Sequence, residues 1–283
     1  MEPIVHILLP VHNRKDITVR FVRALKKQSF QNFKLVLIDD GSTDKTADVV
    51  IKMIPSTTVI RGSGDWWWAG SLQHGYLWLK KQNLSSDDCV LIINDDVIIE
   101  NDFIASGVSV LNRSGKALIG ATAYDIHTGL LVDNGVNYDF KNNILNKPKD
   151  DNEVNCLSTR GLFLKAKDFV ALRGFHPVLL PHYTSDYEFT IRAHRKGYRL
   201  ICSEKVKLWF DPTTTGIYTI SSQKWNKFIK LYFSKRYVNN PLYKINYYLL
   251  TFPFPYNLKH AFIELLYMFH ALYAVFKYNL NYR

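Results

Sequence analysis

Five consecutive apolar residues, Cys89 to Ile93, run directly into Asn94, Asp95 and Asp96 before Val97, Ile98 and Ile99 resume the apolar pattern. A short unbroken run of branched apolar residues reads as a strand covered on both faces, as in a parallel sheet sandwiched between helices. Two adjacent carboxylates at the end of such a strand are costly unless they are solvated, paired or bound to a cation. In an open α/β sheet, ligands collect at the carboxyl ends of the strands. Mg²⁺ or Mn²⁺ takes one or two carboxylates in such a place and shares a substrate's phosphates. A turn using Asn and Asp for local capping is the plainer reading. The stretch alone leaves both open.

The chain upstream repeats the design. Ile4 to Pro10 reads as a buried strand, followed by the loop Val11-His-Asn-Arg14. Asp16 is the expected cap of a helix through Gln28, with Val19, Val22 and Leu25 on one face. Phe33 to Asp40 is a second strand that also ends in paired acids, and Gly41 to Thr46 turns it into a helix to about Ile54. A short strand at Thr57 to Ile60, a Gly- and Trp-rich loop and a helix from about Ser71 to Lys81 complete this half. Alternating strands and helices imply an α/β fold, a mainly parallel sheet with helices on both faces. A single nucleotide-and-metal crevice at one sheet edge explains both acidic strand ends, Asp39/Asp40 and Asp95/Asp96.

A chain of 283 residues suits one large domain or a domain with an appendage. The first ten residues lack the basic start and long apolar run of a signal peptide. Cys89, Cys156 and Cys202 are odd in number and widely spaced. They fit a reducing compartment, and neither a disulfide framework nor a zinc site. The net charge of +11 is concentrated: residues 216–283 hold nine Lys/Arg against one acid, Glu264. Such a tail attracts phosphate-rich partners, nucleic acid or an anionic membrane surface. No helix-turn-helix, zinc-finger or RNP-type pattern accompanies it, so nucleic acid is not expected as a partner.

The pieces in order are Pro10-Val-His-Asn-Arg14, Leu37-Ile-Asp-Asp-Gly-Ser-Thr-Asp44, Ile93-Asn-Asp-Asp-Val97, Arg173-Gly-Phe175, and Ser185-Asp-Tyr-Glu-Phe189 followed by Arg192-x4-Gly197-Tyr198. Together they resemble the inverting family-2 glycosyltransferases of GT-A fold, over about residues 3–215. Within that family, Gly62 to Gly70 and Leu131-Val-Asp-Asn-Gly135 resemble segments of the rhamnosyl- and galactofuranosyl-transferase-like members. Arg61 or Gly62 stands where those members usually carry Asn, and three tryptophans replace a smaller apolar pair. These departures bear on the donor sugar and not on the reaction class.

The resemblance implies that residues 1–215 form the catalytic domain, with the nucleotide-sugar on about 1–100 and the acceptor on about 101–215. It places the donor on Pro10, His12, Arg14 and Asp39. A carboxylate at Asp39 accepts the N3–H of a pyrimidine, hence a UDP- or dTDP-sugar donor, and Arg14 is the expected diphosphate ligand, its plain alternative being a surface ion pair with Asp16 or Asp44. Asp96 is the expected metal ligand, for Mg²⁺ or Mn²⁺, and Asp95 is directed to the ribose or sugar. Trp66, Trp67 and Trp68 cannot all point inward, and aromatic faces suit sugar C–H surfaces. Trp68, Gly70 and Asp65 are the candidates from that loop. Asp186 is the expected general base, and its plain alternative is a helix cap. Glu188 and Arg192 are expected to pair along a helix. His182 is expected in a solvent-facing loop, with contact to the acceptor as its alternative. Many relatives carry a metal-binding His near 211–216, a stretch without histidine here.

Nineteen aromatics interleave with the basic residues of 216–283. Asn257 to Phe276 reads as a helix whose apolar part is short for a span of ~20 residues, so an interfacial helix flanked by Lys259 and Lys277 is expected, its plain alternative being a helix packed on the catalytic domain. The expected protein is a glycosyltransferase of surface-polysaccharide assembly (capsule or O-antigen) at the cytoplasmic membrane face, acting on a saccharide or lipid-linked acceptor. Two alternatives are a sugar-phosphate nucleotidylyltransferase, which would want a Gly-rich basic loop after the first strand, and a non-catalytic membrane or nucleic-acid binder.

Overall fold

The computed structural model describes residues 3–214 and 224–281. Its first half runs Val5–Val11 (β1), Lys15–Lys26 (α1), Phe33–Asp39 (β2), Thr46–Met53 (α2), Thr58–Arg61 (β3), Trp67–Leu79 (α3), Cys89–Ile92 (β4), Val97–Ile99 (β5) and Phe103–Ser114 (α4). Ala117–Asp125 (β6), Leu131–Asp133 (β7), Asn137–Asp139 (β8), Ile144–Asn146 (β9), Leu162–Lys165 (β10), Ala166–Ala171 (α5), Ser185–Arg195 (α6) and Arg199–Phe210 (β11) follow. The described C-terminal part is helical: Trp225–Tyr232 (α7), Pro241–Thr251 (α8) and Tyr256–Asn281 (α9).

The main sheet is ordered β3-β2-β1-β4-β10-β6-β11-β5, with β7 paired to β6. Its first four strands are parallel, as the buried apolar runs require. Ile7 and Leu9 enter a core with Phe21, Val22 and Leu25 of α1 and Phe103 of α4. Leu8, between them, enters the opposite core with Leu72 of α3, Phe169 of α5 and Phe189 of α6. The sheet then becomes mixed, because β10 is antiparallel to both β4 and β6. A parallel neighbour needs a crossover, and the chain between β6 and β10 holds only short strands and a 3-10 turn.

Register explains where the acids gather. Val11 pairs with Asp39 across β1 and β2, and Leu8 pairs with Ile92 across β1 and β4. The segments that leave β1, β2 and β4 therefore emerge side by side. Val97 pairs with Phe210, antiparallel, so Asp96 and Asp211 follow on the same edge.

Three helix starts differ from expectation. α1 begins at Lys15 with Arg14 at the cap position, which puts Asp16 inside the first turn and not at the cap. α3 begins at Trp67 rather than Ser71, because its cap comes from another strand: the Asp40 carboxylate accepts from the backbone N–H of Trp66 at 2.8 Å and of Trp67 at 3.2 Å. α6 begins at Ser185 behind a left-handed Thr184, which puts Asp186 in the first turn and not at the cap.

The expected boundary at 215/216 lies outside the described residues. α8 and the start of α9 share a core with the preceding domain, where Tyr247, Tyr248, Phe252 and Ala261 pack with Tyr138, Leu180 and Ile191. α9 is inverted relative to an ordinary surface helix. His260 and Glu264 are buried, Glu264 on Lys244 at 2.6 Å, while Phe262, Phe269 and Tyr273 are about 60 % exposed. No helix among the described residues is long and apolar enough to cross a membrane.

Candidate active site

A cleft of about 360 Å³ opens at the carboxyl ends of β1, β2 and β4, within the size range of small-molecule sites. The β1 loop is tied to the β2 loop. His12 donates from Nδ1 to the Asp40 carbonyl at 2.5 Å, and its Nε2 accepts from the Asn13 side-chain amide at 3.1 Å. Only the Nδ1–H tautomer satisfies both contacts, because a carbonyl cannot donate. The Asn13 carboxamide oxygen in turn accepts from the backbone N–H of Thr43.

The second wall hangs on Asp40. One carboxylate oxygen accepts from Gly64 N–H at 2.7 Å and the other from Trp66 and Trp67. Gly62 is needed for this closure, since a Cβ there would stand 2.5 Å from the Asp40 carboxylate. The three tryptophans then diverge. Trp66 stacks on His74 at 3.6 Å, Trp68 donates from its indole to the Thr159 hydroxyl, and Trp67 donates to the Asp65 carboxylate. Trp67 and Trp68 both face the cleft.

The floor carries the charges. Asp95 is buried and accepts from the Thr18 hydroxyl at 2.7 Å. Burial pushes its pKa up, against the charge of Arg14 and the Thr18 hydrogen bond. Arg14 lies between two carboxylates, its Nε 3.1 Å from Asp95 but out of line for a hydrogen bond, and its Nη2 donating to Asp96 at 2.8 Å. Burial works against the Arg14 charge, and the two acids more than offset it, so its pKa is raised.

Asp186 lies in the first turn of α6, four residues beyond His182; His182 lines the cleft and Asp186 does not. Desolvation raises its pKa to about 6, opposed by the backbone N–H of Tyr187 and by Arg160, and reinforced by Asp133. A carboxyl so placed is ionised at neutral pH yet basic enough to take a proton. The turn before α6 is braced by Glu188 and Arg192. Glu188 is buried, Arg192 Nε donates to it at 2.6 Å, and the guanidinium also donates to the carbonyls of Leu172 and Gly174. The Arg173-Gly-Phe175 and Arg192 motifs are thus one structural unit. Gly174 itself is left-handed, with no room for a Cβ beside Gln73 and Tyr76.

A protein-family model described as glycosyl transferase family 2 matches residues 6–167, more than half of the chain. The chain belongs to glycosyltransferase family 2. It is 24% identical over 217 residues to the amylovoran biosynthesis glycosyltransferase AmsB of Erwinia amylovora, covering 69% of this chain and 65% of that protein. It is 38% identical over 52 residues to an uncharacterized glycosyltransferase of Haemophilus influenzae, covering 18% of this chain and 21% of that one. The chain thus spans from about a fifth to just under two thirds of these relatives. The crystal structure of GalNAc-T7 with UDP, GalNAc and Mn²⁺ superposes with a TM-score of 0.60 at 11% identity, over 90% of this chain and 52% of that one. At that identity the likeness is one of fold, and the fold is the expected α/β, GT-A type.

In this family-2 scaffold Pro10, His12, Arg14, Trp68 and Asp95 all meet at the cleft. Asp39, expected there, is buried behind the wall, its carboxylate accepting from Ser42 N–H at 2.9 Å, and Asp40 takes the facing position. Gly70 is buried in α3, where a Cβ would stand 3.0 Å from Trp66. Asp65 is at the rim, bound to Lys235 at 2.6 Å. Asp96 opens into an adjoining cavity that Arg14 and Asp95 also line.

Sequence reasoning missed Arg236 at the cleft and chose Trp68 over Trp67, while Asp40 was expected in the crevice only as the partner of Asp39. His182 is no solvent-facing loop residue: burial pushes its pKa down to about 4, and its Nδ1 has no hydrogen-bond partner among the described residues. It also looked for a histidine within 211–216. One stands beside that stretch from elsewhere, because His127, in the turn after β6, reaches Asp211 at 3.2 Å in the cavity that Asp96 lines.

No cluster of three or more His, Cys, Asp or Glu able to hold a metal occurs among the described residues. The Asp96 side chain is 31% exposed, and an oxygen ligand at the sheet edge suits a hard cation that takes its other ligands from phosphates and water. The residues fit an open site and not a closed protein cage.

Proposed function

We propose that this chain transfers a sugar from a UDP- or dTDP-linked donor to a hydroxyl of a saccharide or lipid-linked acceptor, with inversion at the anomeric carbon. The reading extends to metal dependence, to surface-polysaccharide assembly, and to kinship with the rhamnosyl- and galactofuranosyl-transferase-like members. One observation carries it: a cleft at three acidic or polar strand ends gathers Arg14, Asp40 and Asp95 with the aromatic faces of Trp67 and Trp68.

Asp186 takes the proton from the acceptor hydroxyl as its oxygen attacks the anomeric carbon and the nucleoside diphosphate departs. Trp67 and Trp68 offer aromatic faces to the donor. Asp96, with Asp95 behind it, would hold Mg²⁺ or Mn²⁺, which when bound supplies positive charge to the leaving diphosphate. Arg14 keeps both carboxylates oriented. Neutral His182, at the cleft wall, is placed to touch the acceptor without repelling cations.

The tail reading is peripheral attachment to an anionic membrane surface at the cytoplasmic face. Leu258, Phe262, Leu266, Phe269, Tyr273, Phe276 and Leu280 are all exposed. Their spacing of three and four residues makes one continuous ridge along α9. His260 and Glu264 of the same helix are buried, Lys259 and Lys277 are exposed beside the ridge, and the tail is strongly basic, a combination suited to anionic lipid.

The test is a thermal-shift panel of UDP- and dTDP-sugars with Mn²⁺, Mg²⁺ or EDTA, since a ligand of the native state raises the melting temperature by mass action. The true donor should stand out, and the product's anomeric configuration, read by NMR, should be inverted. Stabilisation by nucleoside triphosphates plus sugar phosphates, with none by nucleotide-sugars, would favour the nucleotidylyltransferase instead.

A further inference from the structure

The cleft is not completed by the region that matches the family. Arg236, 69 residues beyond the end of the 6–167 match, stands at its wall. The segment that brings it there is well tied. Asn240 accepts from Leu242 N–H to start α8 and donates from its side-chain amide to the Ser234 carbonyl at 3.1 Å, while Tyr237 N–H donates back to Ser234 at 3.2 Å. Lys235 bonds the Asp65 carboxylate at 2.6 Å, Asp65 accepts from the Trp67 indole at 2.9 Å, and the Arg236 guanidinium lies 5.8 Å from the Trp67 ring centre. Trp67 is held left-handed, at φ 58, a costly state for a bulky side chain that marks a position fixed by its surroundings.

The charges of the cleft leave Arg236 a task. Arg14, the expected diphosphate ligand, is shared by two carboxylates, so that trio carries a net negative charge. Asp40 is occupied by three backbone N–H groups. Among the described residues no carboxylate pairs with Arg236, and it is exposed toward the cleft. Among the described residues lining the cleft, a doubly charged diphosphate entering here meets one cation not already committed to a carboxylate. We propose that Arg236, delivered by the C-terminal extension and seated over Trp67, is the donor-phosphate ligand of this site. The inference rests on reading the cleft as a nucleotide-sugar site and adds a residue to it. A planar guanidinium makes paired hydrogen bonds to phosphate that a lysine does not.

The test is calorimetric titration of the full chain and of Arg236→Gln, Arg236→Lys and Lys227→Gln with UDP, dTDP and inorganic pyrophosphate, in EDTA and again with Mn²⁺. Arg236→Gln should weaken UDP and pyrophosphate about 10-fold or more, Arg236→Lys less, and Lys227→Gln not at all, with melting temperatures unchanged. Equal UDP and pyrophosphate affinities for wild type and Arg236→Gln overturn the proposal, as does an equal loss in Lys227→Gln, which would make the effect bulk charge. Should pyrophosphate binding depend on Arg236 while neither UDP nor dTDP binds better than pyrophosphate, the pyrimidine reading fails and the phosphate assignment stands. If no probe binds wild type at all, both fall.

Discussion

Replacing Asp186 by Asn should make the protein inactive and, above pH 6, more stable. In the folded chain burial raises the Asp186 pKa from 3.8 to about 6. The unfolded chain ionises this group near 3.9. Below about pH 4 both states hold the proton, and wild type and variant differ little. Between pH 4 and 6 the unfolded state sheds the proton first, so wild-type stability falls as pH rises. Above pH 6 the folded chain carries a charge that its surroundings disfavour. The shift corresponds to about 3 kcal/mol at 1.36 kcal/mol per unit, reduced to about 1–3 kcal/mol because part of the side chain reaches solvent.

Asn keeps the size and the oxygen that accepts from Tyr187 N–H at 2.9 Å, and it removes the charge. The melting temperature of Asp186→Asn should therefore exceed that of wild type by roughly 2–8 °C at pH 7.5. The gap should close toward pH 4. Transfer should fall ~10²-fold or more, with donor affinity retained, and wild-type turnover should decline below pH 6. A stability gain independent of pH refutes the raised pKa. Equal losses of donor affinity and rate would reduce Asp186 to a support for its loop.

Asp96→Ala should abolish transfer with the fold intact by circular dichroism, and wild-type metal-dependent turnover in that variant would remove Asp96 from the site. Arg192→Met leaves Glu188 buried with its main partner gone and should cost about 3–5 kcal/mol in urea unfolding; a change within ±0.5 kcal/mol would show that the brace carries no weight. Full-length protein should float with anionic liposomes at low salt and keep a salt-resistant fraction, which Phe262→Ser with Phe269→Ser should remove. Indifference to anionic vesicles would leave the α9 ridge to some other contact.

Much of the fold was legible because its signals are local. The Ile4–Pro10, Phe33–Asp40 and Cys89–Ile93 runs are apolar on successive residues, short and rich in branched side chains, which favours a strand covered on both sides over a buried helix. Their acidic ends could be assigned to one edge because parallel strands bring like ends together. The antiparallel β10 was not legible, since nothing in Leu162 to Lys165 says which way the strand enters. The start of α3 was also hidden: its cap is Asp40, 27 residues before Trp67, whereas helix-start rules read only adjacent residues.

The site divides along the same line. Arg14 and Asp95 were found because each sits in a motif at a strand end, yet their mutual pairing was not, and it changes what Arg14 has left to offer a phosphate. The sequence alone reads Arg14 as a diphosphate ligand, or as the partner of Asp16 or Asp44, and Arg236 as one of nine basic residues in a tail. Packing reverses this. Asp95 and Asp96 occupy Arg14, while Asn240, Lys235 and Asp65 hold the tail so that Arg236 overlies Trp67. The contact joins residues 169 positions apart through a ring face, with no periodicity or spacing to announce it. A tail whose composition pointed outward, to lipid, therefore also points inward, and the cleft-lining arginine that no carboxylate holds among the described residues comes from beyond the stretch by which the family is known.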